Sequence, residues 1–421
     1  MKKWYSLIDK VYSLNNLANA YKSVRRNNGA PGVDGQTVFQ YGEALESNLA
    51  QLHHELKTGT YEPQPVLRVE IPKPDGSKRP LGIPTVKDRV VQQALLNVLQ
   101  PIFDPDFHPS CYGYRPGRSC QQAVAKAEMF MNKYGLEHVV DMDLSKCFDR
   151  LDHELIIKSV NQKVSDGSVL TLIRKFLKSG IMADGSIQET EIGSPQGGVC
   201  SPLLANIYLD YFDQEMKRRN IRIVRYADDI LIFAKSYKEA KKYQNTATKI
   251  LEEELKLTVN KEKTHLTNTR QGVAYLGFVI YAKYVAIHPK KLKKFKEKIK
   301  QMTPRNHGMN IEMMVKRLNP VLRGWANYFR AANCKGIFRG LMQWIRRRLR
   351  MKQMKEWKSW RQLHKALRRR GYKGEFEKIS MTRWRNSICP PVHLALPNKW
   401  FDEIGLVNLE QYNVGILHHY Q

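Results

Sequence analysis

Two adjacent carboxylates, Asp228 and Asp229, stand in the stretch RIVRYADDILIFAK from Arg222 to Lys235, and a second pair, Asp141 and Asp143, stands in HVVDMDLSKCFD from His138 to Asp149. Around the first pair the apolar residues Ile221, Ile223, Val224 and Ile230 to Phe233 predict a β-hairpin with both carboxylates at the bend. In the second stretch Val140, Met142 and Leu144 alternate with acidic residues, which predicts a strand with Asp141 and Asp143 on one side. Carboxylates on one strand face are costly to bury unpaired, so they should be exposed, paired with a cation or bound to a metal. An ordinary polar turn competes for Asp228 and Asp229, because Asp is favoured in turns by local hydrogen bonding. If the two strands were neighbours in one sheet, their oxygens would converge as Mg²⁺ requires, since this ion keeps waters and shares substrate phosphates. Two such ions roughly 3.5 to 4 Å apart clamp the attacking and leaving oxygens of an in-line phosphoryl displacement.

Cations and loops recur around these carboxylates. From Val66 to Pro84, Leu67, Val69 and Ile71 alternate with polar residues before an Asp75-Gly76 turn flanked by Lys73 and Arg79. Two cations on a hairpin suit a triphosphate, Arg by forked hydrogen bonds and Lys as a point charge, and a solvated basic turn is the competing reading. CYGYRPGRSCQQAV places Arg115 and Arg118 in a Gly and Pro loop, with Ser119 as N-cap of the next helix. Gln196 lies inside the shaped turn GSPQGGVCSP, and LKLTVNKEKTHL carries Lys261 and Lys263. The loop NNGAPGVDG holds Gly29, Gly32 and Gly35, which permit tight turns or close approach to a ligand.

The elements that must position these residues follow from periodicity. Helical spacing predicts helices through most of the first sixty residues (Leu7, Val11, Leu14, Leu17), through KDRVVQQALLNVLQPIF, through LLANIYLDYFDQEM and from about Tyr237 to Leu255. YLGFVIY from Tyr275 reads as a short apolar strand. With 421 residues, two to four structural units are expected, and 42% hydrophobic residues suffice for packed cores. The net charge of +30 predicts a polyanionic partner. Between Lys290 and Arg370 stand 26 Lys and Arg against Glu297, Glu312 and Glu356, so this stretch supplies +23 of that charge. Met314, Leu318, Val321, Leu322, Trp325, Tyr328 and Phe329 recur there at helical spacing, so the basic faces belong to folded helices. Trp325, Trp344, Trp357 and Trp360 read as core rather than stacking platforms. No apolar run approaches the roughly 20 residues of a membrane span, and MKKWYSLIDK lacks the apolar core of a signal peptide, so a cytoplasmic protein with no membrane partner is expected. Six cysteines without a CxxC pair predict reduced thiols in packing positions.

YADD at Tyr226 to Asp229, VVDMDLSKCFD, SPQGGVCSP, IPKPDGSKRPLGIP and YGYRPGRS together resemble the reverse transcriptase domain encoded by bacterial group II introns. LRGWANYF (Leu322 to Phe329) resembles the family's thumb or maturase domain, and ALPNKWFDEIGLVNL its small DNA-binding domain. The resemblance implies a right-hand α+β polymerase: fingers and palm over 1–285 with an N-terminal extension over about 1–60, a helical thumb over 286–360 and a DNA-binding domain over 361–421. It implies RNA-directed DNA synthesis that copies intron RNA by target-primed reverse transcription, together with intron RNA binding as a splicing maturase. By the same resemblance Asp143, Asp228 and Asp229, with the Leu144 carbonyl, hold two Mg²⁺ ions, for which Mn²⁺ substitutes. Phe148, which by itself reads as core, matches the aromatic gate that selects deoxynucleotides. Gln196 matches the residue beside the incoming nucleotide, Lys73 and Arg79 match fingertip residues on the triphosphate, and Arg115 lies in a motif lining the same pocket.

Lys263 matches a general acid for the pyrophosphate leaving group, with Lys261 close by. Tyr275, Leu276 and Gly277 match the primer grip, the loop of Gly29 and Gly32 matches the cover over template and primer, and Arg323, Arg346 and Arg347 are the expected nucleic-acid contacts of the thumb. The implied partners are group II intron RNA, an RNA template with a DNA primer, target DNA and dNTPs, in a bacterial cytoplasm and at the nucleoid when acting on DNA. Tyr114 stands where Phe is commoner, with a ring of similar volume. No Cys-paired endonuclease segment follows the DNA-binding segment, as in the compact class C members. A domesticated relative acting in DNA repair or phage defence is the alternative, which genomic surroundings would decide.

Overall fold

The computed structural model describes residues 3–72, 76, 78–183, 186–188, 193, 197–306 and 308–420. The chain divides into two compact units, one of residues 1–123 with 134–267 and one of residues 124–133 with 268–421. The described strands in chain order are β1 (Val66–Pro72), β2 (Lys78–Ile83), β3 (His138–Met142), β4 (Ile181–Ala183), β5 (Ser186–Gln188), β6 (Arg222–Tyr226), β7 (Asp229–Ala234), β8 (His265–Asn268), β9 (Val273–Tyr275), β10 (Phe278–Ile280) and β11 (Val285–Ile287). They form three sheets of order β2-β1-β4-β5, β6-β7-β3-β8 and β11-β10-β9, and with the helices make a mixed α+β fold.

The β6-β7-β3-β8 sheet is the floor of the first unit. Ile230 to Ala234 are buried without interruption along β7, the pattern of a strand covered on both faces. The helix Ser201–Arg218 covers one face with Leu204, Ile207, Tyr208 and Phe212, which join Ile223, Ile230 and Ile232 in one cluster. The helix Tyr237–Lys249 continues as a π-helical turn over Ile250–Glu254. Its start is capped from both sides, because Ser236 accepts from the Glu239 N–H while the Glu239 carboxylate accepts from the Lys235 N–H at 2.7 Å. The expected cap at Ser119 is a reciprocal pair, with Gln122 N–H donating to Oγ at 3.2 Å and the Ser119 N–H donating to Gln122 Oε1 at 2.8 Å.

Two expectations need correction. Leu7, Val11 and Leu17 are buried as the spacing predicts, but the chain breaks at Ser13, between helices Ile8–Tyr12 and Leu14–Asn27, and Leu14 is half exposed. In β1, Val66 is buried whereas Val69 and Ile71 are exposed, because β1 meets β4 only at Val66 and Leu67 and nothing described covers the rest.

In the second unit the helices Pro289–Met302, Ile311–Phe329, Lys335–Trp357 and Trp360–Arg369 carry the basic stretch. Trp325 is core as expected, stacked on Phe295 at 4.1 Å and beside Phe329 and Phe338. Trp357 and Trp360 pack on a cluster of Met354, Leu363, Leu367 and Met381. The six cysteines are free, and Cys111, Cys147, Cys200 and Cys334 are buried. Among the described residues no helix is long and apolar enough to cross a membrane.

Candidate active site

The two carboxylate strands are neighbours. β3 pairs antiparallel with β7, Met142 opposite Ile230 and Asp141 opposite Leu231, and continuing that register by one residue sets Asp143 opposite Asp229. β6 and β7 form a hairpin in which Tyr226 pairs with Asp229. The two bend residues are therefore Ala227 and Asp228, and Asp229 is the first residue of β7 rather than part of the bend. Ala227 has φ of 58°, a positive φ at the first central position as in a type II′ turn.

The electrostatics are those of crowded anions. Asp229 presents surface to solvent, yet enough protein surrounds it that lost solvation, followed by the charges of Asp228, Asp141 and Asp143, raises its carboxyl to about 7. Burial raises Asp141 to about 6, offset by His265, whose Nε2 is 3.9 Å away. Lys263 donates from Nζ to Asp143 Oδ2 at 3.2 Å, and the Asn260 amide donates to the same oxygen at 3.2 Å. Leu144 forms an isolated antiparallel bridge with Val259. The bonds beside it use the Asp143 carbonyl and the Ser145 N–H, so the Leu144 carbonyl turns away from Val259, toward the side of β3 that faces β7.

Among the described residues no group of three or more His, Cys, Asp or Glu side chains is gathered closely enough to hold a metal ion by itself. The donors present are a few carboxylate oxygens and a backbone carbonyl in a negatively charged corner. That set fits Mg²⁺, which binds through one or two carboxylates, waters and substrate phosphates rather than an all-protein cage.

Phe148 sits half-buried in a 3₁₀ turn, Cys147–Arg150, with Tyr114 edge-on at 6.2 Å between ring centroids. Lys73 and Gln196 lie outside the described residues; Arg79 is described as backbone only, paired with Ile71 in the hairpin. The same hairpin carries an exposed ion pair between Lys78 and Glu70 at 2.6 Å.

Other expected contacts are engaged within the protein. Arg115 is 9% exposed, and all its donors are used: Nε and Nη2 on the Asp104 carboxylate and carbonyl, Nη1 on the His108 and Cys111 carbonyls. It braces its own loop and presents no guanidinium to a nucleotide. Arg346 is likewise buried, 2.6 Å from Glu410. Arg347 is half-buried and Arg323 is exposed. Gly29 and Gly32 are small because protein approaches them: a Cβ would lie 2.5 Å from Arg89 Nη1 at the first and 2.7 Å from the Thr85 backbone at the second. In the second unit Tyr275 pairs with Phe278 around a turn of Leu276 and Gly277, both at positive φ, and Tyr328 donates to the Leu276 carbonyl at 2.8 Å.

Residues that spacing did not flag hold the Asp228 turn from behind. Arg225, the penultimate residue of β6, is fully buried against the equally buried Asp213, at 2.6 Å, and Asn206 joins them. Gly113 packs against the turn, where a Cβ would lie 2.3 Å from the Ala227 nitrogen. The available signal was an Arg directly after the apolar pair Ile223 and Val224, where the strand continues into buried positions.

A family model described as reverse transcriptase (RNA-dependent DNA polymerase) matches residues 71–280, and one described as group II intron, maturase-specific domain matches residues 292–371. Protein YkfC of Escherichia coli (strain K12) is 34% identical over 300 residues, 62% of this chain and 79% of its own length. Group II intron-encoded protein LtrA of Lactococcus lactis subsp. cremoris is 31% identical over 328 residues, 62% of this chain and 54% of its own. A telomerase structure from Candida albicans overlaps with a TM-score of 0.43 and 14% identity, covering 75% of this chain and 65% of its own, too weakly to bear on the assignment. The chain therefore belongs to the reverse transcriptase (RNA-dependent DNA polymerase) family, among the group II intron-encoded proteins with a maturase-specific domain.

Proposed function

We propose that this chain extends a DNA primer with deoxynucleotides on an RNA template, copying intron RNA at a DNA target, with Asp143 and Asp228 as its principal metal ligands. The observation that carries this reading is the pairing of β3 with β7, whose last pair, Met142 with Ile230, leads Asp143 out beside the strand that opens at Asp229, next to the Asp228 turn. Reverse transcription in the family needs a divalent metal, and Mg²⁺, with Mn²⁺ able to replace it, is our assignment from the hard oxygen donors. Bound there, divalent ions would stabilise the charge on the attacking and leaving oxygens of the displacement.

The protein's own residues do the rest. Asp143 and Asp228 supply anionic oxygen, and Asp229, raised to about 7, tunes the charge of the corner. Lys263 rests on Asp143 in this state, a position from which its ammonium supplies a proton to the departing pyrophosphate. Phe148, buttressed by Tyr114, takes the space a ribose 2′-hydroxyl would need, while Lys73, Arg79 and Gln196 receive the nucleotide.

Intron RNA binding as a maturase falls to the basic helices, through their exposed cations such as Arg323. Arg346 and Arg350 are buried structural residues within the same stretch. We assign fingers and palm to about residue 285, the thumb to about 360 and DNA binding to the remainder. Primer extension on an RNA template by Asp228→Ala tests the catalytic reading: the variant should lose synthesis while retaining RNA binding and splicing assistance, and persisting synthesis would refute it.

A further inference from the structure

Arg225 is an expensive residue to bury in a strand. Its side chain and that of Asp213 are both 0% exposed. Nε donates to both Asp213 oxygens at 2.9 and 3.0 Å and Nη2 donates to one at 2.6 Å. Nη1 reaches the other way, to Asn206 Oδ1 at 3.0 Å and to the Ala227 carbonyl at 3.0 Å. The Asn206 amide nitrogen donates in turn to the Gly113 carbonyl at 2.8 Å. The β6 backbone is also sewn to this loop, Tyr112 N–H donating to the Arg225 carbonyl and Arg225 N–H to the Ser110 carbonyl, each at 2.9 Å.

Stability alone does not account for the arrangement. An apolar pair of similar volume in place of a buried ion pair is often neutral or stabilising. What an apolar pair lacks is a donor for the Ala227 carbonyl. That carbonyl belongs to the peptide group whose nitrogen is Asp228's, so the guanidinium fixes the plane of the peptide that leads into Asp228. The fixing matters because Ala227 holds φ at 58°, a backbone conformation unfavourable to a Cβ-bearing residue that persists only when its surroundings impose it.

We propose that Arg225, locked by Asp213 and Asn206, is a positioning residue that sets the Asp228 carboxylate for a divalent cation before the cation arrives. The proposal rests on the reading of Asp228 as a metal ligand. Its test uses two changes in the full chain, Arg225→Lys and the double change Arg225→Met with Asp213→Leu. Lysine keeps the charge for Asp213 but has one head group, which cannot serve Asp213 and the Ala227 carbonyl together. The double variant removes both buried charges and leaves an apolar core.

Mn²⁺ binding to the protein alone, followed by the EPR signal of the free ion, is the primary readout. The expected result is a Kd raised about 10- to 100-fold, the range for residues that orient metal ligands. The Mg²⁺ concentration for half-maximal extension should rise in parallel, with melting temperature and primer–template affinity near the parent's. A folded double variant with parental Mn²⁺ affinity overturns the proposal. So does a double variant that does not fold, because the pair is then a stability element. Asp228→Ala separates the two levels: if that variant keeps parental Mn²⁺ affinity and synthesis, the metal reading has failed, whatever Arg225 does.

Discussion

Gly113→Ala offers a direct test of how tightly the Asp228 turn is held. A Cβ at residue 113 would lie 2.3 Å from the Ala227 nitrogen, 3.0 Å from the Tyr226 carbonyl carbon and 3.1 Å from the Ala227 Cα. These are backbone atoms, and ordinary contact begins near 3.4 Å, so the loop and the turn must separate by about 1 Å. Overpacking of this kind costs about 1–3 kcal/mol, and a misplacement of about 1 Å at a reacting centre costs on the order of 100-fold in rate. The expected outcome is a modest fall in melting temperature and a much larger fall in single-turnover primer extension at saturating Mg²⁺ and dNTP, with primer–template affinity unchanged. Gly167→Ala is the control, because nothing lies within 4 Å of a Cβ there and the residue opens the helix Gly167–Lys178. Wild-type extension by a folded Gly113→Ala protein would show that the turn is not the site of chemistry, or that its placement is not critical.

Phe148→Ala should relax the preference for dNTP over rNTP in paired extension assays, because the half-buried ring between Tyr114 and the core is removed; an unchanged ratio would remove it as the gate. Stability of the metal-free protein should fall as pH rises from about 4 through about 7. The Asp141 and Asp229 carboxyls hold protons more tightly folded than unfolded, so the folded state binds more protons across that window. Denaturant midpoints over this pH series check the sign, and added Mg²⁺ should flatten the slope. Arg346→Ala should lower stability by about 1–3 kcal/mol, because a buried guanidinium and its charge-assisted bond to the solvent-exposed Glu410 are lost, whereas Arg323→Ala should weaken RNA binding and its salt dependence without a shift in melting.

Much of the site was legible because periodicity reports which face a residue occupies. The apolar run Ile230 to Phe233 and the alternation through Met142 identified both carboxylate strands, and their chemistry required the adjacency that the sheet displays. Partners far apart in sequence left no trace of that kind. Arg115 looked like a free cation in a glycine loop because nothing in its spelling reveals that Asp104 and two carbonyls take its donors. Arg346 stands in a run of arginines indistinguishable by composition, yet it is buried on Glu410, 64 residues away. The Gly29 and Gly32 loop gave the need for close approach but not what approaches, which is the Thr85 and Arg89 segment. Asp229 was assigned to the bend by symmetry with Asp228, whereas the β6–β7 register makes it a strand residue.

The β1–β2 hairpin behaves as a cantilever. Its root is clamped where Val66 and Leu67 lie against Ile181 and Met182, and from Arg68 to Pro72 the described ladder partners belong to β2 alone. Ile71, opposite Arg79, is four residues beyond the clamp, about 13 Å along the strand. Over such a lever a change of about 10° in twist at the root carries the Arg79 backbone about 2 Å, within the ordinary variation of strand twist. For the triphosphate contact proposed for Arg79, packing at the root, where Gly197 also lies against Gly82 of β2, sets the reach, and substitutions at Val66 or Ile181 should alter nucleotide affinity from a distance.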